Sequence, residues 1–347
     1  MAKRSRRGPQ GGRSGNPAVR AQRAQQPVPT PTGPAKVPVR HDAQLPEALP
    51  PDGAEYPQIL RGTSYVWWRS LLGVVGGLSL YFLMTALVTQ VVLGLAWTTG
   101  YPEEAYADFA RRALDFEVPA GMVAANLGIA MLIPITWVLM AIVHQVRPRW
   151  LSSVQPRLRW RYLLICGGVA LVVLNGVSLV SSAVGPGITV GPQAGFGAFL
   201  VVIVLTAPLQ AAAEEFFFRG YLMQALGSLV AQPWFGVVVS ALVFALMHGL
   251  QNPALFLNRL GFGLLAGLLV WRTGGLEAGI AAHVVNNVSA YVLAGLTSSI
   301  SAVRGIDQIG WAQSGVQLGA FALFAILALL LARRLGLRTR VDPASSR

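Results

Sequence analysis

Ionisable and polar side chains recur at helical spacing in three apolar segments of the C-terminal half of the chain. They are Glu214, Glu215 and Arg219 in the first segment, His248 in the second, four residues after Phe244, and His283 and Asn287 in the third. An ionisable residue inside a long apolar helix is costly, so it is by default a functional candidate. The set predicts chemistry performed by carboxylates, imidazoles and an amide.

Helical geometry predicts how these side chains are arranged. Residues four apart lie on one face of a helix, so Glu215 and Arg219 are expected to form an ion pair. Glu214 is turned about 100° from Glu215, which leaves its carboxylate free to face another surface. The same spacing puts Phe244 beside His248 and His283 beside Asn287. We therefore expect four residues to converge from three helices: Glu214, His248, His283 and Asn287.

Two chemistries fit this set. His248, His283 and Glu214 could hold Zn²⁺ with an open position for water, which the metal would acidify. Alternatively, Glu214 alone is the general base for a water molecule, and no metal is needed. His248, His283 and Asn287 would then orient that water and stabilise an oxyanion. Both routes hydrolyse an amide, and the sequence does not separate them.

Structural roles are the alternative for each residue. Pairing is how buried charges persist in a bilayer, so Glu215 and Arg219 could serve the fold alone. Interhelical hydrogen bonding would explain any single polar residue of the set, and it is the favoured explanation for Asn286. Asn258 and Arg259 either line an access path or reach for solvent from a helix end. The convergence of several ionisable residues in neighbouring segments favours a functional site.

The composition predicts the elements that must position these residues. Of 347 residues, 54% are hydrophobic and 12% are charged, whereas a soluble domain carries roughly 25% charged residues. The chain is therefore predicted to be an all-α, polytopic membrane bundle. Segments of the length needed to cross a bilayer, about 20 residues, lie at 71–97, 119–143, 162–184, 197–222, 234–251, 254–271, 276–296 and 314–332.

The positive charge is concentrated at the N-terminus. The net charge is +13, and residues 1–40 hold nine Lys and Arg but no acid. Residues 1–60 also contain 11 of the 22 prolines, which predicts a disordered basic tail. Such a tail favours contact with anionic lipid headgroups rather than nucleic acid. A solvated arm that only sets topology fits equally well.

Charged loops predict the orientation of the bundle. The loop at 144–161 carries five arginines and no acid, and the C-terminal tail at 336–347 is also basic. The first loop outside the membrane, near 103–117, is acidic. By the positive-inside rule both termini are cytoplasmic in a multi-pass protein of the cell membrane. The predicted divisions are the tail at 1–60, two N-terminal helices over 61–160, and a core over 161–335.

At the polar residues the sequence resembles the CPBP family of intramembrane proteases, the CAAX proteases and bacteriocin-processing enzymes also called the Abi family. The family pattern EExxxR, FxxxH and HxxxN occurs here in order, as Glu214-Glu215-Arg219, Phe244-His248 and His283-Asn287. The resemblance covers about residues 160–335. It implies a metalloendopeptidase that cleaves membrane-anchored or lipidated peptides. Glu214 would activate water, and His248, His283 and Asn287 would be metal ligands or oxyanion stabilisers.

Other functions are weighed against a protease. The family also includes non-catalytic immunity and scaffold proteins, in which the same polar cluster would serve binding. A transporter could use Glu214 as a proton site, but the inverted repeats of such proteins are not seen. The motifs HExxH and GxSxG of other hydrolases are absent. The Arg-, Ala-, Gly- and Val-rich composition indicates a bacterial source, and the sequence predicts no oligomeric state.

Overall fold

The computed structural model describes residues 48–184, 189–249 and 251–346. Within these ranges the regular structure is helical, apart from two isolated antiparallel bridges, Glu55 with Arg340 and Ser153 with Gly275. The prediction of an all-α bundle is confirmed. Residues 46–347 form one compact unit, and the division of this unit near 160 into two N-terminal helices and a core stays a prediction. The basic tail over 1–47 lies outside the described residues.

Ten helices follow one another along the described part of the chain. They are α1 (Trp67–Gly100), α2 (Tyr106–Leu114), α3 (Pro119–Val143), α4 (Trp160–Val184), α5 (Phe196–Gly227), α6 (Trp234–Leu246), α7 (Pro253–Thr273), α8 (Glu277–Thr297), α9 (Ile300–Arg304) and α10 (Trp311–Arg334). Three short 3₁₀ turns accompany them at Tyr56–Arg61, Pro148–Leu151 and Pro343–Ser346.

Among the described residues, seven helices rather than eight are long and apolar enough to cross a membrane. The difference lies in α6, which has 13 residues and ends at Leu246 instead of continuing to 251. Gly249 adopts a left-handed conformation with φ +79°, and its amide donates to the carbonyl of Leu246 at 3.2 Å. A glycine in this conformation ends a helix, a feature that hydropathy does not report.

The chain alternates between two ends of the bundle. The basal end collects residues 48–62, 144–159, 228–233 and 335–342, and the apical end collects 101–118, 189–195, 247–249, 251–252 and 298–310. At the basal end the Gly53 amide donates to the Val341 carbonyl at 2.9 Å. Both ends of the described chain are therefore basal, as an even number of passes requires. The short α6 and the turn that follows it connect the basal end to the apical end, so the chain runs between the two ends eight times although only seven helices have membrane-spanning length.

Residues 48–60, which composition assigned to the disordered tail, pack against the basal end. Tyr56, Ile59 and Leu60 are buried, and the Tyr56 hydroxyl donates to the Leu151 carbonyl. The prediction of disorder is wrong for this part of the tail. Proline-rich composition hid three apolar anchors that become ordered by burial against the bundle.

A buried ion pair joins two segments of the chain at the basal end. Arg159 binds Glu277 with two parallel contacts, Nε to Oε1 at 2.9 Å and Nη2 to Oε2 at 2.6 Å. Arg159 Nη1 also donates to the Thr273 carbonyl at 2.9 Å. Bidentate geometry makes this type of pair strong and directional. The pair therefore fixes the start of α8 relative to the loop that precedes α4.

The outer surface is that of a multi-pass membrane protein. Only 11% of the most apolar window of α1, and the same share of α4, is buried inside the protein. Exposed tryptophans lie at the basal starts of three helices: Trp67 and Trp68 on α1, Trp160 on α4 and Trp234 on α6. Exposed apolar faces of this length require lipid, and tryptophan concentrates where lipid meets water.

Candidate active site

The helix α5 changes its winding at the two adjacent glutamates. α-Helical hydrogen bonding runs over Phe196–Glu214, and a π-helical stretch follows over Glu215–Leu222. All eight residues of that stretch are buried. π-Helical turns occur mostly as short interruptions of α-helices, frequently at functional sites. The change in winding sends Glu215 and Arg219 into the interior of the bundle directly after Glu214.

Glu215 and Arg219 form the ion pair that their spacing predicts. Arg219 Nη1 lies 2.9 Å from Glu215 Oε1, and both side chains are fully buried. The guanidinium carbon of Arg219 lies 4.0 Å from the ring centroid of Phe244 and 5.2 Å from that of Phe262. A planar, weakly hydrated guanidinium is suited to such aromatic contacts. Rings from α6 and α7 therefore hold the arginine against α5.

His283 lies between the two glutamates. Its Nδ1 donates to Glu215 Oε1 at 2.8 Å, and its Nε2 lies 3.3 Å from Glu214 Oε2. A carboxylate only accepts hydrogen bonds, so the Nδ1 proton is committed to Glu215. Nε2 is then the nitrogen that faces Glu214, so His283 bridges the two adjacent carboxylates.

Gly279 makes room for the inner carboxylate. It lies one turn before His283 on α8, and a Cβ built on it would be 2.8 Å from Glu215 Oε2. That oxygen is buried and has no hydrogen-bond partner among the described residues. The close approach of α8 to α5 at this level therefore depends on glycine. No motif in the sequence pointed to Gly279, although it lies four residues before a candidate histidine.

Asn287 is joined to the site through a residue that the sequence analysis missed. Its Nδ2 donates to Gln210 Oε1 at 3.0 Å. Gln210 precedes Glu214 by one helical turn on α5, so both side chains lie on the same face. The signal that could have identified Gln210 in the sequence is its position as a polar residue in the apolar run before Glu214. Tyr291, one turn after Asn287, is also within electrostatic range of Glu214.

His248 lies in the turn after α6, not on the helix as predicted. The correction follows from the early helix end at Leu246. The ring still meets Phe244: the two centroids are 4.5 Å apart, and Nδ1 donates to the Phe244 carbonyl at 2.7 Å. In the neutral ring this leaves Nε2 as an acceptor. Phe244 also contacts His283, with centroids 6.1 Å apart, so one ring bridges both histidines.

Glu214 and His248 lie at similar depth in the bundle. The sequence placed the end of α5 at 222, but the helix runs to Gly227, which puts Glu214 about 20 Å from its basal end. Leu246, just before His248, is about 18 Å from the basal end of α6 at Trp234. With the predicted end of α5 at 222, Glu214 would lie only about 12 Å from that end and therefore less deep than His248. The five additional residues of α5 remove this difference.

The zinc site remains a prediction. Among the residues that the structure describes, no group of three or more His, Cys, Asp or Glu side chains is arranged to hold a metal ion. Both ring nitrogens of His283 already face carboxylates, and Nδ1 of His248 faces a backbone carbonyl. The donors therefore do not fit a three-ligand zinc site as they stand, and no step proposed below passes through a metal.

Comparisons with known proteins place this site in context. Residues 196–289 match the family model described as Type II CAAX prenyl endopeptidase Rce1-like. The protein described as uncharacterized protein YyaK of Bacillus subtilis (strain 168) is 33% identical over 95 residues, which cover 26% of this chain and 32% of that relative. The match thus spans about a third of the length of the curated relative. No solved structure matches the chain. The resemblance to CAAX proteases is therefore confirmed for the segment that carries the glutamates and both histidines.

Proposed function

We propose that this protein is an intramembrane endopeptidase of the CAAX-protease type and that Glu214 is its general base. The observation that carries the proposal is the contact of Glu214 with His283, whose other ring nitrogen is fixed by Glu215. This arrangement supports proton transfer at Glu214 because the histidine beside it is held in one orientation. The match to a CAAX endopeptidase model over 196–289 supports the same reaction class.

The reaction follows from the chemistry of the carboxylate. Glu214 takes a proton from water, and the hydroxide oxygen bonds to the carbonyl carbon of the scissile amide. The carbonyl electron pair moves to oxygen and forms a tetrahedral oxyanion. When the C–N bond breaks, Glu214 returns the proton to the departing amine nitrogen. The products are a carboxylic acid and an amine, so atoms and protons balance.

The other residues have distinct roles in this proposal. Nε2 of His248 accepts a hydrogen bond from the attacking water and orients it. The remaining N–H of Asn287 Nδ2 stabilises the oxyanion, since the other is donated to Gln210. His283 is a positioning residue that contacts both Glu214 and Glu215. Glu215, Arg219 and Phe244 fix His283 and the bundle around it.

Metal dependence separates this proposal from the zinc alternative. Because the donors do not form a three-ligand set, we expect peptide cleavage to continue after dialysis against a chelator. Turnover measured before and after dialysis, with and without added Zn²⁺, checks this. Loss of turnover that Zn²⁺ restores would contradict the metal-free route and support His248, His283 and Glu214 as ligands.

A substrate screen tests the proposed function. Wild type and Glu214→Gln are reconstituted in lipid and incubated with a library of membrane-anchored and lipidated peptides, and products are identified by mass spectrometry. Asp108→Asn is the matched control, because it removes an exposed carboxylate on α2. We expect products from wild type and Asp108→Asn alone. No products from any folded sample would overturn the proposal in favour of a non-catalytic immunity or scaffold protein.

We further propose that the basal end faces the cytoplasm of a cell membrane. The arginine-rich loop at 144–159 and the basic C-terminal segment at 335–342 both lie at this end, which the positive-inside rule favours. Cysteine labelling at exposed positions of either end, in intact cells, tests the orientation.

A further inference from the structure

Arg259 is a cation that lies beside the candidate active site. It is half-buried on α7, and within the described ranges it makes no ion pair. Its Nε donates to Gln251 Oε1 at 2.9 Å. The two terminal nitrogens have no hydrogen-bond partner in the described part of the chain, yet neither is sealed from solvent. An arginine at this depth is costly without a partner, which makes it a functional candidate.

Arg259 is close to the residues around His283 and to the turn that carries His248. Phe262 is three residues further along α7 and therefore on the same face, and its ring lies 5.1 Å from that of His283. On the other side, Gln251 belongs to the same turn as His248. Arg259 also lies within electrostatic range of Glu214 and His248. The guanidinium thus lies at the apical edge of the site.

The separation of Arg259 from Glu214 matters for its role. An arginine in direct contact with the base would neutralise it, as Arg219 does for Glu215. Arg259 and Glu214 do not form such a contact, so a group of the bound peptide can lie between them. The free edge of a guanidinium matches the two oxygens of a carboxylate.

We propose that Arg259 is the anion-binding residue of this site and that it pairs with a carboxylate of the bound peptide. The carboxylate is either the chain terminus or an acidic side chain near the scissile bond. By holding it, Arg259 determines which peptide bond lies against Glu214. This inference rests on the proposed function for its kinetic consequence, but the binding preference can be measured without cleavage.

The test uses peptides that differ only in charge. A cleaved sequence is prepared with a terminal carboxylate or carboxamide, and with Asp or Asn at an internal position. Loss of one charge-assisted hydrogen bond to the peptide should raise the wild-type KM about 10- to 100-fold for the uncharged member of the relevant pair. In Arg259→Gln the ratio of KM values should fall to about one, and in Arg259→Lys it should be intermediate.

Arg272→Gln is the matched control, because Arg272 is an arginine at the opposite end of α7. It should keep the wild-type ratio. Equal losses on charged and uncharged peptides in Arg259→Gln, or no charge preference in wild type, would overturn the inference. The terminal and internal pairs identify which carboxylate is bound.

Dissociation constants for the same peptides, measured on Glu214→Gln by fluorescence anisotropy, separate the two proposals. An Arg259-dependent preference for the charged peptide without any cleavage by wild type would contradict the protease proposal and support the anion-binding role of Arg259. Cleavage of both peptides without a charge preference would support the protease proposal and contradict the anion-binding role.

Discussion

Glu214 and Glu215 are adjacent in sequence but have different surroundings. The Glu215 side chain is fully buried, and its Oε1 faces both Arg219 and His283. The Glu214 side chain is 12% exposed, and its Oε2 lies 3.3 Å from Nε2 of His283. Glu214 is thus more accessible than Glu215, which supports the proposed chemical role of the first glutamate and the proposed positioning role of the second.

The close approach of Gly279 to Glu215 predicts that adding one methyl group at this glycine disturbs the site. Gly279→Ala places a Cβ 2.8 Å from Glu215 Oε2, so the carboxylate or α8 must shift. We expect a lower thermal midpoint, equivalent to about 1–3 kcal/mol of overpacking, and a drop in kcat because His283 moves with Glu215.

Gly168→Ala is the matched control for this change. Gly168 lies on α4, and a Cβ there would meet nothing within 4 Å. Alanine favours a helix more than glycine does, so stability and turnover should be unchanged or slightly higher. Wild-type kcat in Gly279→Ala would show that the close packing of α8 on Glu215 does not matter for activity.

At the scale of elements, the turn after α6 decides where His248 lies. Gly249 has φ +79°, and a Cβ there would meet nothing within 4 Å. Gly249→Ala should therefore cost about 1 kcal/mol of backbone strain and displace His248, lowering turnover more than stability. Gly53→Ala introduces the same strain at φ +69° in the basal segment. Similar turnover in both variants would contradict a role for the turn in catalysis.

Hydropathy predicted most of the helices because long apolar runs have few alternatives to a membrane helix. The predicted and observed bounds of α3 are the same, and those of α7, α8 and α10 differ by three residues or fewer. Hydropathy does not predict the backbone conformation of individual residues. The end of α6 depends on φ at Gly249, and the π-helical winding after Glu214 depends on packing around Arg219.

The motif residues were found in sequence because ionisable groups are conspicuous in apolar helices. The ion pair of Glu215 with Arg219 followed from their spacing alone. Contacts between helices did not, because spacing along one helix gives no information on its neighbours. His283 was expected beside Glu214, but its hydrogen bond to Glu215 and the roles of Gly279 and Gln210 required the fold.

For the whole molecule, His144 predicts a dependence of stability on pH. It is buried where α3 ends, and its Nε2 lies 3.1 Å from the Tyr221 hydroxyl. Burial, aided by the charge of Arg69, lowers the pKa of His144 from 6.5 to about 4. Between these values the unfolded chain binds the additional proton, so stability falls as pH decreases from about 6.5 towards 4 and is unaffected above this window.

Thermal midpoints between pH 7.5 and pH 5 check this prediction. The contribution of His144 should amount to about 2 kcal/mol of unfolding free energy over that interval. His144→Gln cannot be protonated, so its midpoint should fall less than that of wild type. The histidines of the active site are present in both proteins, so their contribution to the pH dependence cancels when the two midpoint curves are compared. Parallel pH curves would contradict the buried, neutral state of His144.

The central claim is that Glu214 activates water in a folded membrane protein. Its most direct test is kcat of Glu214→Gln on a peptide that wild type cleaves, measured together with the thermal midpoint. We expect kcat to fall by about 10²–10⁴-fold, the usual contribution of a general base, while the midpoint stays close to that of wild type. Turnover within a few-fold of wild type in the folded variant would contradict the assignment of Glu214 as the base.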